Sequence, residues 1–263
     1  MTSKTQESFF THAEGNLFVG NWPARGPWTA DACHAGPVSG LLARAAENTI
    51  ADKQMVRLTA SFVRPIPMDG FGIETEVIRD GRTAASVSIT LRDRESRICA
   101  TATSTHIITK DVGTLPTHDI PPPDKENATP GIFCLREAPH GLPFFSLGIE
   151  MEYPPGEDFG PGPTTVWMRA PALLPDELIS PFQSICPLSD CGNGISRNME
   201  LNELSFVNPD ITIALHRLPE SEWLASSSVS HWQSNGIGLA HATLFDESGA
   251  VGVALQSLVL RPL

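Results

Sequence analysis

The sequence predicts an α+β protein of two similar halves, each a helix followed by an antiparallel meander. Three observations carry this. A helix-then-four-strands order precedes residue 110, the same order recurs after residue 143, and a proline-rich stretch separates them.

In the first half, residues 37–48 (PVSGLLARAAEN) place Val38, Leu41, Leu42 and Ala45 on one helical face. Proline in the first turn and Asn at the end mark the boundaries. Strand-like runs follow at 56–63, 72–79, 84–92 and 98–108. Asp80-Gly81 is a hairpin signal, and residues 92–95 form a second turn.

Residues 111–143 carry seven prolines and little periodicity. Proline fixes φ and removes an amide donor, so the stretch reads as a linker between domains at 1–110 and 144–263. The alternative is one long functional loop inside a single domain. After it, a helix is expected at about 190–202 and strands at 211–218, 222–233, 236–245 and 251–260. Ser234-Asn235-Gly236 and residues 246–249 supply the turns.

An offset of about 154 residues superposes the halves. It sets Gly36 on Asp190, Gly81 on Asn235 and Ala102 on Gln256. One helix wrapped by a long antiparallel sheet, twice in one chain, matches a tandem (double) hotdog, a pseudo-dimer. Small residues in the first half then oppose polar ones in the second, which puts the polar site in the second half.

Composition bounds the function. The chain has 263 residues, 41% hydrophobic, enough to build two cores. A net charge of −12 disfavours nucleic acid and anionic membranes as partners. No apolar run approaches a membrane span and no signal peptide is visible. Five unpatterned cysteines fit free thiols in a reducing cytoplasm. The histidines lack zinc-site spacing and the glycine-rich pieces lack a phosphate-loop pattern, so neither a metal nor another cofactor is expected.

Three residues stand out as candidate chemistry. Asp190 ends the apolar run FQSICPLSD where the second helix is expected to start. It reads either as a helix cap or as a carboxylate able to deprotonate water. Asn208, in FVNPD, is a turn element or a holder of a water or carbonyl. Gln256 lies inside the apolar strand VGVALQSLVL, where an unpaired amide costs about 1–3 kcal/mol. Cys191 has no evident base partner and reads as a small buried residue.

In chain order, LSD, FVNPD, HRLPESEW, GIGLAHATLFDESG and ALQSLVLR, with FVGNWPARGPWTADACHAGPVSGLLARAAE before them, carry a resemblance. The chain resembles the type II acyl-CoA thioesterases, a tandem-hotdog group. That resemblance implies hydrolysis of an acyl-CoA or acyl-carrier thioester by an activated water, with Asp190 and Gln256 in the family's catalytic positions. Asn208 stands where the family has Thr or Ser. The resemblance also brings His34 and Gly36, at the first helix start, across the pseudo-dimer interface as substrate-side residues. Helix-end amides there would face the thioester carbonyl. Arg25, Lys53, Arg57 and Arg64 are phosphate contacts by charge alone. A homo-oligomer formed through exposed sheet edges is expected. The alternative reading is a non-catalytic hotdog that binds acyl-CoA or acyl chains.

Overall fold

In a computed structural model of the chain, residues 7–13, 16–135, 137–200 and 203–262 are described. The first half contains strands β1 (Phe10–His12) and β2 (Leu17–Gly20), helix α1 (Ala35–Thr49), and strands β3 (Gln54–Phe62), β4 (Phe71–Asp80), β5 (Ala84–Asp93) and β6 (Ile98–Ile107). Strands β7 (Thr129–Pro130), β8 (Glu150–Tyr153) and β9 (Thr164–Arg169) come next. Helices α2 (Pro181–Ser189) and α3 (Gly192–Ile195) lead into β10 (Leu204–Val207), β11 (Asp210–Leu215), β12 (Leu224–Trp232), β13 (Ile237–Asp246) and β14 (Gly249–Pro262).

All these strands join one sheet, in the order β1-β2-β4-β5-β6-β3-β11-β14-β13-β12-β9-β8-β7, with β10 also on β14. Every pairing is antiparallel. Within each half, the last strand of the meander folds back beside the first. The two halves join where β3 pairs with β11. There Thr59 faces Thr212, and their hydroxyls are 3.2 Å apart. β5 alternates buried and partly exposed along its whole length, as a strand with one covered face must.

Helix α1 lies in the concavity, against β3 to β6 and against α2. Val38, Leu41 and Leu42 are fully buried. At the other end of the helix contact, Glu47 accepts from Ser180 Oγ and Gln183 Nε2, both at 2.7 Å. The tandem hotdog therefore stands, each half a central helix wrapped by antiparallel strands.

The second helix corrects the expectation. It starts not at Asp190 but at Pro181, capped by Ser180, whose hydroxyl accepts from Gln183 N. Ser before Pro is an N-cap followed by the residue best suited to the first helical position, so the start signal was present. Pro187 hid it: an interior proline reads as a helix stop, yet here it sits inside a buried helix. Asp190 follows the end of α2. The 154-residue offset holds to within three residues for the meander strands β4 to β6 and fails by eight for the helix, where Ala35 matches Pro181. The expected helix also covered residues 201 and 202, which lie outside the described residues.

The stretch at 111–143 contributes one short edge strand, β7, where Pro130 needs no amide donor. No helix among the described residues is long and apolar enough to cross a membrane.

Candidate active site

Asp190 sits between α2 and α3 and is almost wholly buried. Two side-chain amides converge on its Oδ1. Asn208 Nδ2, from the loop between β10 and β11, donates at 2.8 Å, and Gln256 Nε2, from the interior of β14, donates at 3.0 Å. Gln256 Nε2 also donates to the Asp190 carbonyl at 3.1 Å, and Asn208 Nδ2 to the Asp210 carbonyl at 3.2 Å. All four amide hydrogens are thereby spent on holding the site together, which leaves each amide's carbonyl oxygen as its remaining polar atom.

Asn193, in α3, ties those oxygens together. Its backbone N–H donates to Gln256 Oε1 at 3.1 Å and its Nδ2 to Asn208 Oδ1 at 3.3 Å. Asn193 was missed in the sequence. The run Cys-Gly-Asn-Gly after Asp190 was the available signal, because small residues there let α3 approach β14. A Cβ at Gly192 would lie 3.0 Å from Gln256 Oε1.

The other carboxylate oxygen faces the first half. His34 caps α1, accepting from Gly36 N–H at Nδ1 (3.1 Å), and the same Nδ1 lies 3.1 Å from Asp190 Oδ2. The Gly36 backbone N–H also favours the charged form of the Asp190 carboxyl group. The helix N-terminus that faces Asp190 is therefore that of α1, from the opposite half, rather than the start of its own helix. A Cβ at Gly36 would meet the Pro187 carbonyl oxygen at 2.8 Å and Asp190 Cβ at 3.1 Å. The missing side chain lets α2 dock, and Gly36 lies behind the cleft wall formed by His34 and Ala35.

Burial dominates the electrostatics. It pushes the Asp190 carboxyl up to about 7, against the hydrogen bonds from Asn208, Gly36 and Gln256, which lower it. It pushes His34 down to about 4. Both shifts oppose an ion pair. Burial thus favours a neutral imidazole, its Nδ1 accepting from Gly36 N–H, beside a carboxyl group that changes charge near neutrality. The His34 ring stacks on Phe145, centroids 4.1 Å apart and 11° from parallel.

These groups open into a cleft of about 650 Å³. His34, Asp190, Asn193 and Asn208 line its polar part, while Ile66, Phe133 and Leu135 contribute to its apolar wall. Of the four cations suggested by charge, Arg64 alone lines this cleft; Arg261, not anticipated, joins it. Arg25 donates to the Ala30 and Pro143 carbonyls, and Lys53 is held by Asp52 and Asp80. Arg57 is exposed on the opposite sheet face from Leu58. Burial raises the Cys191 thiol far above its ordinary value, which suits a packing residue rather than a nucleophile. A buried, titratable carboxyl group beside a neutral imidazole, open to an apolar cleft, is equipped to remove a proton from a water at its edge.

Comparison with known proteins gives the class to which this fold and site belong. The profile described as acyl-CoA thioesterase N-terminal domain matches residues 24–107, and that described as acyl-CoA thioesterase C-terminal domain matches 117–260. The chain belongs to the acyl-CoA thioesterase family of double-hotdog proteins. No curated protein matches it. Among solved structures, a tesB protein from Mycobacterium avium subs paratuberculosis superposes with a TM-score of 0.66 at 20% identity, covering 95% of each chain. An acyl-CoA thioesterase II from Mycobacterium marinum gives 0.66 at 17%, covering 97% of this chain and 95% of the other. A hotdog-fold protein of unknown function from Alicyclobacillus acidocaldarius gives 0.72 at 16%, covering 95% of each chain. At these identities the likeness is one of fold.

Proposed function

We propose that the protein hydrolyses acyl-CoA thioesters by direct attack of water, with Asp190 as general base. The observation that carries this reading is the convergence of Asn208, Gln256, Gly36 and His34 on one buried carboxyl group at the floor of a largely apolar cleft.

The carboxylate form of Asp190 takes a proton from a water bound on its Oδ2 side. The resulting hydroxide forms a bond to the thioester carbonyl carbon, and the carbonyl π pair moves onto oxygen. Asn193 Nδ2 has a second N–H beyond the one given to Asn208, and this donates to the oxyanion. Collapse breaks the C–S bond, and the thiolate receives the proton held on Asp190. Water is consumed, a carboxylic acid and a thiol are released, and no covalent acyl-enzyme forms. Asn208 and Gln256 fix the carboxylate, offering water only their carbonyl oxygens. Arg64 and Arg261 at the cleft face the anionic part of the substrate.

The test is turnover of an acyl-CoA panel followed with a thiol reporter, for the native chain and for Asp190→Asn. Hydrolysis lost in Asp190→Asn supports the reading; hydrolysis unchanged removes Asp190 from the chemistry. Binding of the same panel with no turnover by either protein selects the non-catalytic alternative, a hotdog that holds acyl-CoA.

A further inference from the structure

We infer that Phe133, a residue of the proline-rich stretch between the halves, sets the acyl-chain length that the cleft accepts.

The segment around Phe133 is fixed as a wall. Gly131 N–H donates to the Met151 carbonyl at 2.9 Å, and the Tyr153 hydroxyl donates to the Ile132 carbonyl at 2.8 Å. The Cys134 thiol donates to the Gly194 carbonyl at 3.3 Å. The Phe133 ring packs edge-on against Phe145, centroids 6.3 Å apart and 85° from parallel. Phe145 is the ring stacked on His34, so one aromatic neighbour separates Phe133 from the Asp190–His34 pair.

On its other side the ring meets α3. A Cβ at Gly194 would come within 3.3 Å of Phe133 Cζ, so the glycine leaves room for the ring tip to lie on the helical turn that follows Asp190. Phe133 thus lines the cleft where α3 meets Phe145, one aromatic neighbour away from His34. Trp28, Arg64 and Arg261 occupy the exposed part, where the polar end of a thioester substrate stays hydrated. A thioester placed with its carbonyl at Asp190 and its polar end toward the arginines directs its acyl chain at Phe133 and Leu135. Volume removed at 133 becomes room for methylenes, and volume added there shortens the chain that fits. Discrimination by one methylene in an apolar pocket is worth roughly tenfold or more.

This inference takes its substrate class from the thioesterase reading, but its test does not need turnover. Non-hydrolysable acyl-CoA thioethers of graded chain length are titrated calorimetrically into the native chain, Phe133→Ala and Phe133→Trp, while hydrolysis of the matching thioesters is followed separately. Phe133→Ala is expected to raise the long-chain to short-chain affinity ratio at least about tenfold, and Phe133→Trp to lower it. Phe133→Leu, which keeps an apolar contact with Phe145, should fall between the native chain and Ala. Profiles that do not move, or that lose affinity equally at every length in all three variants, overturn the inference. So does a native chain that binds no thioether of any length. A profile that shifts while no thioester is cleaved leaves Phe133 as the length determinant and removes the hydrolase reading.

Discussion

His34 Nδ1 and Asp190 Oδ2 face each other at 3.1 Å across the junction of the two halves, and burial moves both groups away from the charges an ion pair would need. The consequence is a carboxyl group that titrates near neutrality without a cationic neighbour to hold it ionised.

The first prediction concerns the pH profile. In the proposed mechanism Asp190 acts as base only as a carboxylate, and burial raises its pKa to about 7. The rate constant kcat/KM is therefore expected to rise about tenfold per pH unit below 7 and to level off above it. Initial rates from pH 5 to 9 check this. An ascending limb near pH 4 would assign the base to an ordinary exposed carboxylate.

Asp190→Asn separates chemistry from stability. Activity should fall by roughly 10²–10⁴-fold. Stability should move the other way. A carboxyl group raised from 3.8 to about 7 stabilises the fold fully below pH 3.8 and loses that contribution as pH rises through 7. His34, lowered from 6.5 to about 4, is neutral when folded and protonated when unfolded between those values, so its contribution grows with pH over the same window. From pH 4 to 6.5 the pair carries one proton in either state, and the two slopes cancel. Removing the carboxyl group leaves the His34 slope alone. Asp190→Asn should thus be more stable than the native chain at pH 8, on the order of a few kcal/mol. Denaturant titrations at pH 4.5, 6 and 8 measure both effects.

Asn208→Ala removes a hydrogen bond that lowers the Asp190 pKa. The ascending limb of the pH profile should shift above 7. Asn193 Nδ2 also loses its acceptor, so a stability loss of about 1 kcal/mol is expected. A profile left at its native position would show that Asn208 does not hold the ionised carboxylate.

Gly36→Ala forces a methyl group to within 2.8 Å of the Pro187 carbonyl oxygen. Separating α1 from α2 should cost about 1–3 kcal/mol, read as a lower thermal midpoint, and should reduce kcat by displacing His34 from Asp190. A variant with native stability would mean that the helices part more easily than their packing implies.

Asn193→Ala tests the proposed oxyanion contact. Loss of one donor to a developing oxyanion typically lowers kcat by 10²–10³-fold with little change in KM. A rise in KM alone would move Asn193 from transition-state stabilisation to ground-state binding.

Much of the fold was legible because its signals are local. The β4–β5 hairpin announces itself at Asp80-Gly81, and Gly236 adopts the positive φ of 87° that its turn requires. The alternation of β5 needs no partner to be seen. The short strands were not legible. β1, β2 and β7 to β10 span two to six residues each, too few for a period to emerge, and their pairing depends on strands far away in the chain. The second helix was misplaced because Pro187 interrupts a pattern that burial sustains.

For the site, Asp190, Asn208, Gln256 and His34 were singled out in the sequence, and the structure brings their side chains together. The sequence by itself determined the helix-then-meander order within each half, the duplication and the set of polar side chains carried in apolar surroundings. Tertiary structure decided which atoms face one another. It set Asn208 and Gln256 on one oxygen of Asp190 and His34 on the other, and it aimed α1, rather than Asp190's own helix, at the carboxyl group. The pKa near 7 belongs to this second class. Desolvation depends on every atom that excludes water from a point, and those atoms come from strands and helices far apart in the chain.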